Sequence, residues 1–231
     1  MKYPDNLTII YLTNNLMPEG WMKFQLDAFA KASEGYKVIS VSRVPMNLGY
    51  NIIQTEPSSY WNIYYQLMKA AKLADTDFIA TAEDDTLYTH QHYHEFRPNV
   101  DEIAYDRSRW SLFTWDKDPI YCLRNRVCNC SMISPKKLFI DAIEERIEKY
   151  PNGLPNSEVG EVGRERIELR LKVKRNKLVE FYCTNSIVQL NHTNGEDIRQ
   201  KEKWKSHGQI KAYDIPTWGK AKNIVEIYNG R

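Results

Sequence analysis

Residues 78–82, Phe-Ile-Ala-Thr-Ala, form an apolar run that passes straight into Glu83-Asp84-Asp85, and this junction constrains the chain more than any other feature. A short uncharged run behind the turn-like Asp75-Thr76-Asp77 reads as a buried strand. Three consecutive carboxylates at its carboxyl end repel one another at neutral pH, and leaving them unpaired beside a low-dielectric core costs free energy. A divalent cation removes that cost. Mg²⁺ or Mn²⁺ takes one or two protein carboxylates and fills its remaining positions with water and phosphate oxygens. The bland alternative is an ordinary acidic turn, but in open α/β sheets the carboxyl ends of strands are where ligands bind.

The flanking sequence supplies such a sheet. Residues 7–12 read as a buried first strand ending at Thr13-Asn14-Asn15. Residues 20–33 carry Trp21, Phe24, Leu26, Phe29 and Ala30 at roughly helical spacing, with Gly35 as a stop. Residues 36–41 form a second strand with Ser42-Arg43 as its polar end, and 45–49 a loop. Residues 58–74 present a broad apolar helical face, with Ser58 or Ser59 as N-cap after Pro57. Beyond residue 100 the pattern predicts a strand over 110–114 and a helix over 135–150 with a charged outer face. A loop bearing Gly and Glu follows over 154–163, then a basic helix over 164–172 and a final strand over 184–190. A polar and aromatic tail ends the chain.

With 231 residues, 42% hydrophobic and 27% charged, the chain is sized for one compact domain. Its apolar runs fall short of the roughly 18–20 residues a membrane-spanning helix needs. The first residues show no secretory-signal pattern, so a cytoplasmic protein of a bacterium or a virus-infected cell is expected. Cys122, Cys128, Cys130 and Cys183 lack zinc-type pair-and-pair spacing; reduced thiols without assigned chemistry are expected. Residues 1–120 carry net charge −5 and residues 121–231 net +7. The later half is therefore suited to an anionic partner, or simply has a solvated charged face.

Thr81-Ala82-Glu83-Asp84-Asp85, after a strand and the long 58–74 helix, resembles the acidic metal-binding signature of GT-A glycosyltransferases, here as a variant of the family's Asp-any-Asp motif. The resemblance implies an α/β, Rossmann-like mixed sheet flanked by helices in a single domain. It divides that domain into a nucleotide-sugar-binding half over about 1–100 and an acceptor-binding half with a C-terminal lid over about 101–231. It further implies a nucleotide-sugar donor, with UDP-sugar foremost, and Mn²⁺ or Mg²⁺. Asp85 becomes the direct metal ligand. Glu83 and Asp84 contact metal-bound water or the donor, and His192 after the last strand completes the metal site. Neutral imidazole there would favour Mn²⁺. Thr13, Asn14 and Arg43 fall where such enzymes hold the nucleoside. Inverting transfer needs a base for the acceptor hydroxyl; the resemblance points to Glu158 and Glu161, with Asp116 or Asp118 behind them. The stereochemistry stays open, because the adjacent acidic pair common in the family is missing.

Arg199, Lys201, Lys203, Lys205, His207 and Lys211, interleaved with Trp204, Tyr213 and Trp218, are expected to form a mobile lid over the diphosphate or a solvated tail. The expected acceptor is a hydroxyl of a glycan or related molecule. Alternatives are a DNA glycosyltransferase acting on hydroxymethylated pyrimidines, a metal-dependent nuclease or phosphatase, and a non-catalytic binding module.

Overall fold

The computed structural model describes residues 6–154, 159–192 and 208–230. Strand β1 (Leu7–Leu12) alternates its side chains between two layers. Ile10 enters one apolar cluster, while Leu7, Ile9 and Tyr11 enter the other. Both faces are covered, which is why the run is almost uninterruptedly apolar. Helix α1 (Glu19–Ala32) buries Trp21, Gln25, Phe29 and Ala32. It leads to β2 (Lys37–Ser42) and β3 (Tyr50–Ile53). Helix α2 (Tyr60–Leu73) begins at Ser59, whose hydroxyl accepts from Asn62 N at 3.0 Å; of the two serines expected as caps, the second is used.

Strand β4 (Phe78–Glu83) lies at the centre of a seven-stranded mixed sheet. The remaining strands of that sheet are β6 (Glu102–Asp106), β9 (Met132–Pro135) and β10 (Lys177–Phe181), giving the order β10-β6-β9-β4-β1-β2-β3. Only β9 runs antiparallel to its neighbours. A second sheet is built from β5 (Thr86–Leu87), β7 (Trp110–Phe113), β8 (Tyr121–Leu123), β11 (Val188–Asn191) and β12 (Lys211–Ala212), in the order β12-β8-β7-β11-β5. Helix α3 (His90–His94) packs against α1; α2 packs against α4 (Lys136–Lys149) on the opposite face of the main sheet. The result is one α/β domain.

Several expectations change here. Strands β3, β6, β8 and β9 were invisible in the pattern because they are short and show no alternation of polar and apolar residues. The strand expected over 184–190 starts at Val188, because the preceding segment is held by other bonds: Thr184 N donates to Glu95 Oε2 at 2.9 Å and Thr89 Oγ1 to Asn185 O at 3.1 Å. It is not the last strand. After it come β12, a small hairpin of β13 (Asp214–Ile215) with β14 (Gly219–Lys220), and α6 (Ala221–Tyr228). Helix α6 buries Ala221, Ile224, Val225 and Tyr228, spaced to share one helical face, against Trp21, Leu112 and Val188. The described part of the tail is therefore docked, and Lys211 sits in a strand paired with β8. Arg199, Lys201, Lys203, Trp204, Lys205 and His207 lie outside the described residues.

The helix expected over 135–150 is α4, but Arg146 on its charged side turns inward. It is 1% exposed and donates to Gly160 O at 2.8 Å. The basic helix over 164–172 is α5 (Glu165–Leu171), whose Glu168 is fully buried, accepts from Gly163 N at 2.7 Å and from Asn176, and faces Arg146. Gly163 has φ +83° and a Cβ there would sit 2.7 Å from Ile103 Cγ2, so only glycine lets this loop approach β6. No helix among the described residues is long and apolar enough to cross a membrane.

Candidate functional site

The acidic triplet is the seam between the two sheets. Glu83 ends β4, Thr86 begins β5, and Asp84 and Asp85 turn the chain from one sheet to the other. Backbone bonds fix the turn on both sides: Asp84 N donates to Leu12 O at 3.3 Å and Leu190 N to Asp85 O at 2.7 Å. Trp21 Nε1 donates to Asp84 O at 2.7 Å, so α1 holds it from a third direction. Thr13, at the tip of β1, donates its hydroxyl to Asp84 Oδ2 at 2.5 Å. That contact follows from the register Leu12↔Glu83, which sets the ends of β1 and β4 level.

The three carboxyl groups are half-buried and crowd one another. Burial, then Asp85, Cys128 and Asp84, hold Glu83 well above the usual carboxylate range, with Arg109 opposing. Asp84 is pushed up to about 7, chiefly by burial and further by Asp85, against the Thr13 hydrogen bond. Burial raises Asp85 as well; His192 is close enough to oppose that, together with hydrogen bonds from Thr86 and Gln189. The Nδ1 atom of His192 is buried without a hydrogen-bond partner among the described residues. Three crowded carboxyl groups with an imidazole near Asp85 offer the kinds of oxygen and nitrogen donor that Mn²⁺ or Mg²⁺ takes.

Thr13, Asn14 and Arg43, expected on the nucleoside side, lie at or beside the tips of β1 and β2. Asn14 Oδ1 accepts from Leu16 N at 3.1 Å and so shapes the turn. Its neighbour Asn15, at φ 59°, joins the two tips: Oδ1 accepts from Arg43 N at 2.7 Å and Val44 N at 3.2 Å. The Arg43 guanidinium reaches Ser58 Oγ at 2.7 Å, bridging β2 to the start of α2. Glu161 is 16% exposed, with Oε2 accepting from Arg164 at 2.8 Å, and its charge is felt at Tyr64, Tyr105 and Cys128. Glu158 lies outside the described residues. Asp118 is exposed and accepts from Tyr213 at 3.3 Å, and Asp116 sits near Cys122; neither joins the triplet.

Sequence reasoning missed the support beneath the carboxylates. Arg109 is fully buried and donates to Gln189 Oε1 at 2.6 Å and to Arg126 O at 3.3 Å, and its charge reaches both Asp85 and Glu83. Gln189 is a polar residue between the apolar Val188 and Leu190 and was the available signal. Cys128 and Cys130 place their sulfurs 3.2 Å apart beside this arginine. Their i, i+2 spacing was visible in the sequence; their position against Glu83 was not. A buried chain of Tyr11, Gln25 and the Thr86 carbonyl, with bonds of 2.7 and 3.0 Å, underlies the turn from the other side.

The sequence matches no protein-family model and no curated protein. Among solved structures it is similar to the glycosyltransferase GlyE of Streptococcus pneumoniae TIGR4, at 8% identity and TM-score 0.51, covering 96% of this chain and 59% of that one. A mannosyltransferase of Pyrobaculum calidifontis in complex with GDP-mannose and Mn²⁺ matches at 11% identity and TM-score 0.45, covering 86% and 60%. A glycosyltransferase involved in glycosylation of the major capsid of PBCV-1 matches at 9% identity and TM-score 0.45, covering 86% and 98%. The chain spans about three-fifths of the length of the first two. The fold likeness rests on the first of the three, and the architecture is that of the GT-A fold.

Proposed function

We propose that this chain is a metal-dependent glycosyltransferase that moves a sugar from a nucleotide-sugar, with a UDP-sugar as the expected donor, to a hydroxyl of a glycan or related acceptor. The observation that carries this reading is the acidic triplet at the carboxyl end of β4, held at the seam of two sheets, with His192 close enough to act on the charge of Asp85. Asp85 and His192 are the residues that would hold the divalent ion. When bound, such an ion neutralises charge developing on the departing diphosphate.

The chain's own residues do the rest. Thr13 fixes Asp84, and Asn15 locks the β1 and β2 tips into one wall, so the nucleoside side is preorganised before a ligand arrives. Arg43 is positioned for the nucleotide at that wall. Arg109, through Gln189, keeps a positive charge close to the carboxyl groups. Glu161 is the base assigned among the described residues, with one oxygen held by Arg164 and the other carrying no bond to it. Residues 1–100 serve the donor and 101–231 the acceptor.

Calorimetric titration of UDP and of a nucleotide-sugar panel, with and without Mn²⁺, tests the reading. Metal-dependent binding of a nucleoside diphosphate supports it. Failure of every nucleotide to bind in the presence of Mn²⁺ rejects it.

A further inference from the structure

On the face of the main sheet away from α2 and α4, three polar side chains from separate elements meet inside an aromatic layer. His92 comes from α3, Asp106 ends β6, and Cys183 follows β10 by two residues. His92 and Asp106 are fully buried, with Nδ1 and Oδ2 2.9 Å apart. Asp106 Oδ1 accepts from Ser108 N at 2.8 Å and Ser108 Oγ at 2.5 Å, which fixes the carboxylate. His92 Nε2 is buried and has no hydrogen-bond partner among the described residues. One ligand atom from each of the three residues lies within 4.8 Å of the other two. The proposed transferase chemistry uses none of them.

We propose that His92, Asp106 and Cys183 form a second metal site, separate from Asp85 and His192, for one divalent ion of borderline softness, Zn²⁺ before any other. The donor set argues for the ion. Imidazole, carboxylate and thiolate together suit Zn²⁺, whereas Mg²⁺ and Mn²⁺ prefer all-oxygen or oxygen-rich shells. Charge argues for it too: one thiolate, one carboxylate and a neutral imidazole balance a doubly charged ion, so the loaded site is neutral within an apolar layer. On uptake the Cys183 thiol proton leaves to solvent and its sulfur binds the ion.

Geometry asks for little movement. Tetrahedral zinc places its ligand atoms about 3.3–3.8 Å apart, so the three donors close slightly while the His92–Asp106 pair opens by about 0.5–1 Å. The segment carrying Cys183 is already anchored to the α3 region by the Thr184 N to Glu95 and Thr89 to Asn185 bonds. The ion would pin α3 and the segment after β10 to the end of β6.

The test uses the whole chain, refolded with Zn²⁺, passed over a weak chelator and analysed for metal, and separately loaded with Co²⁺ for its sulfur-to-cobalt charge-transfer absorption. About one equivalent of zinc and the thiolate band are expected in the wild type and in Asp85→Ala. Both are expected to be lost in Cys183→Ser and His92→Gln. The Cys122→Ser/Cys128→Ser/Cys130→Ser variant, which leaves Cys183 as the one thiol, is expected to keep both. Folded wild-type chain that retains less than a tenth of an equivalent and shows no thiolate band overturns the site, whatever the variants do. So does a band that survives Cys183→Ser. No nucleotide enters the experiment, so its outcome is independent of the transferase reading.

Discussion

Gln189 takes a 2.6 Å hydrogen bond from Arg109 on its oxygen and makes a long 3.4 Å contact to Asp85 on its nitrogen. One amide thus stands between a fully buried guanidinium and the Asp85 carboxyl group. Gln189→Leu leaves an Arg109 N–H buried without its acceptor. We expect a loss of about 1–3 kcal/mol in urea unfolding, and weaker Mn²⁺ binding; unchanged stability would show that water takes over this role.

Asp85→Ala is expected to leave the fold intact, since its backbone carbonyl still accepts from Leu190 N. Metal-dependent UDP binding should fall by more than about tenfold, through loss of a charged oxygen ligand. Circular dichroism and calorimetry read the two effects separately, and metal-dependent UDP binding that persists in the variant sinks the assignment.

The pH dependence has a definite sign. Asp84 is near 3.9 in the unfolded chain and about 7 in the folded one, raised mainly by burial and by Asp85. A carboxyl raised on folding stabilises the native state at low pH, and that contribution is lost as pH rises from about 4 to about 7. Glu83 acts in the same direction. Without metal, the melting temperature should therefore decline across this window, and the stabilisation by added Mn²⁺ should be larger at pH 7 than at pH 5. Thermal melts in EDTA and in Mn²⁺ measure both; a metal effect that shrinks with rising pH contradicts the site.

Glu161→Gln keeps the side chain's size and an oxygen for Arg164 while removing its basicity. Transfer should slow by about 10²–10⁴-fold with donor affinity within twofold, read by single-turnover assay and titration. Full activity would move the base to Glu158 or elsewhere.

Gly163→Ala forces a Cβ against Ile103 at a positive φ. A destabilisation of about 1–3 kcal/mol is expected, with transfer also slowed, because the loop bearing Glu161 is displaced.

Apart from β3, the strand–helix order through residue 85 was readable because each of the other elements there carries a local signal. The Leu7–Leu12 and Phe78–Glu83 strands are apolar runs broken by polar tips, and Ser59 caps a helix with a broad apolar face. The placement of the carboxylate triplet and His192 at strand ends was readable for the same reason, because strand ends are where chain polarity changes. Local pattern could not assign partners. That Thr13 meets Asp84, 71 residues away, depends on the register of β1 and β4; that Gln189 meets Asp85 depends on β11 pairing with β5; and that Arg109 lies beneath both depends on a second sheet whose strands are two to four residues long. The tail shows the limit most clearly. Its polar and aromatic content showed no helix, yet Ala221, Ile224, Val225 and Tyr228 share one helical face that the core covers. Sequence fixes which residues can be buried and where charge accumulates, because those are properties of side chains and their spacing. Tertiary structure decides which of them meet, because strand pairing joins residues whose separation along the chain carries no local energetic signal.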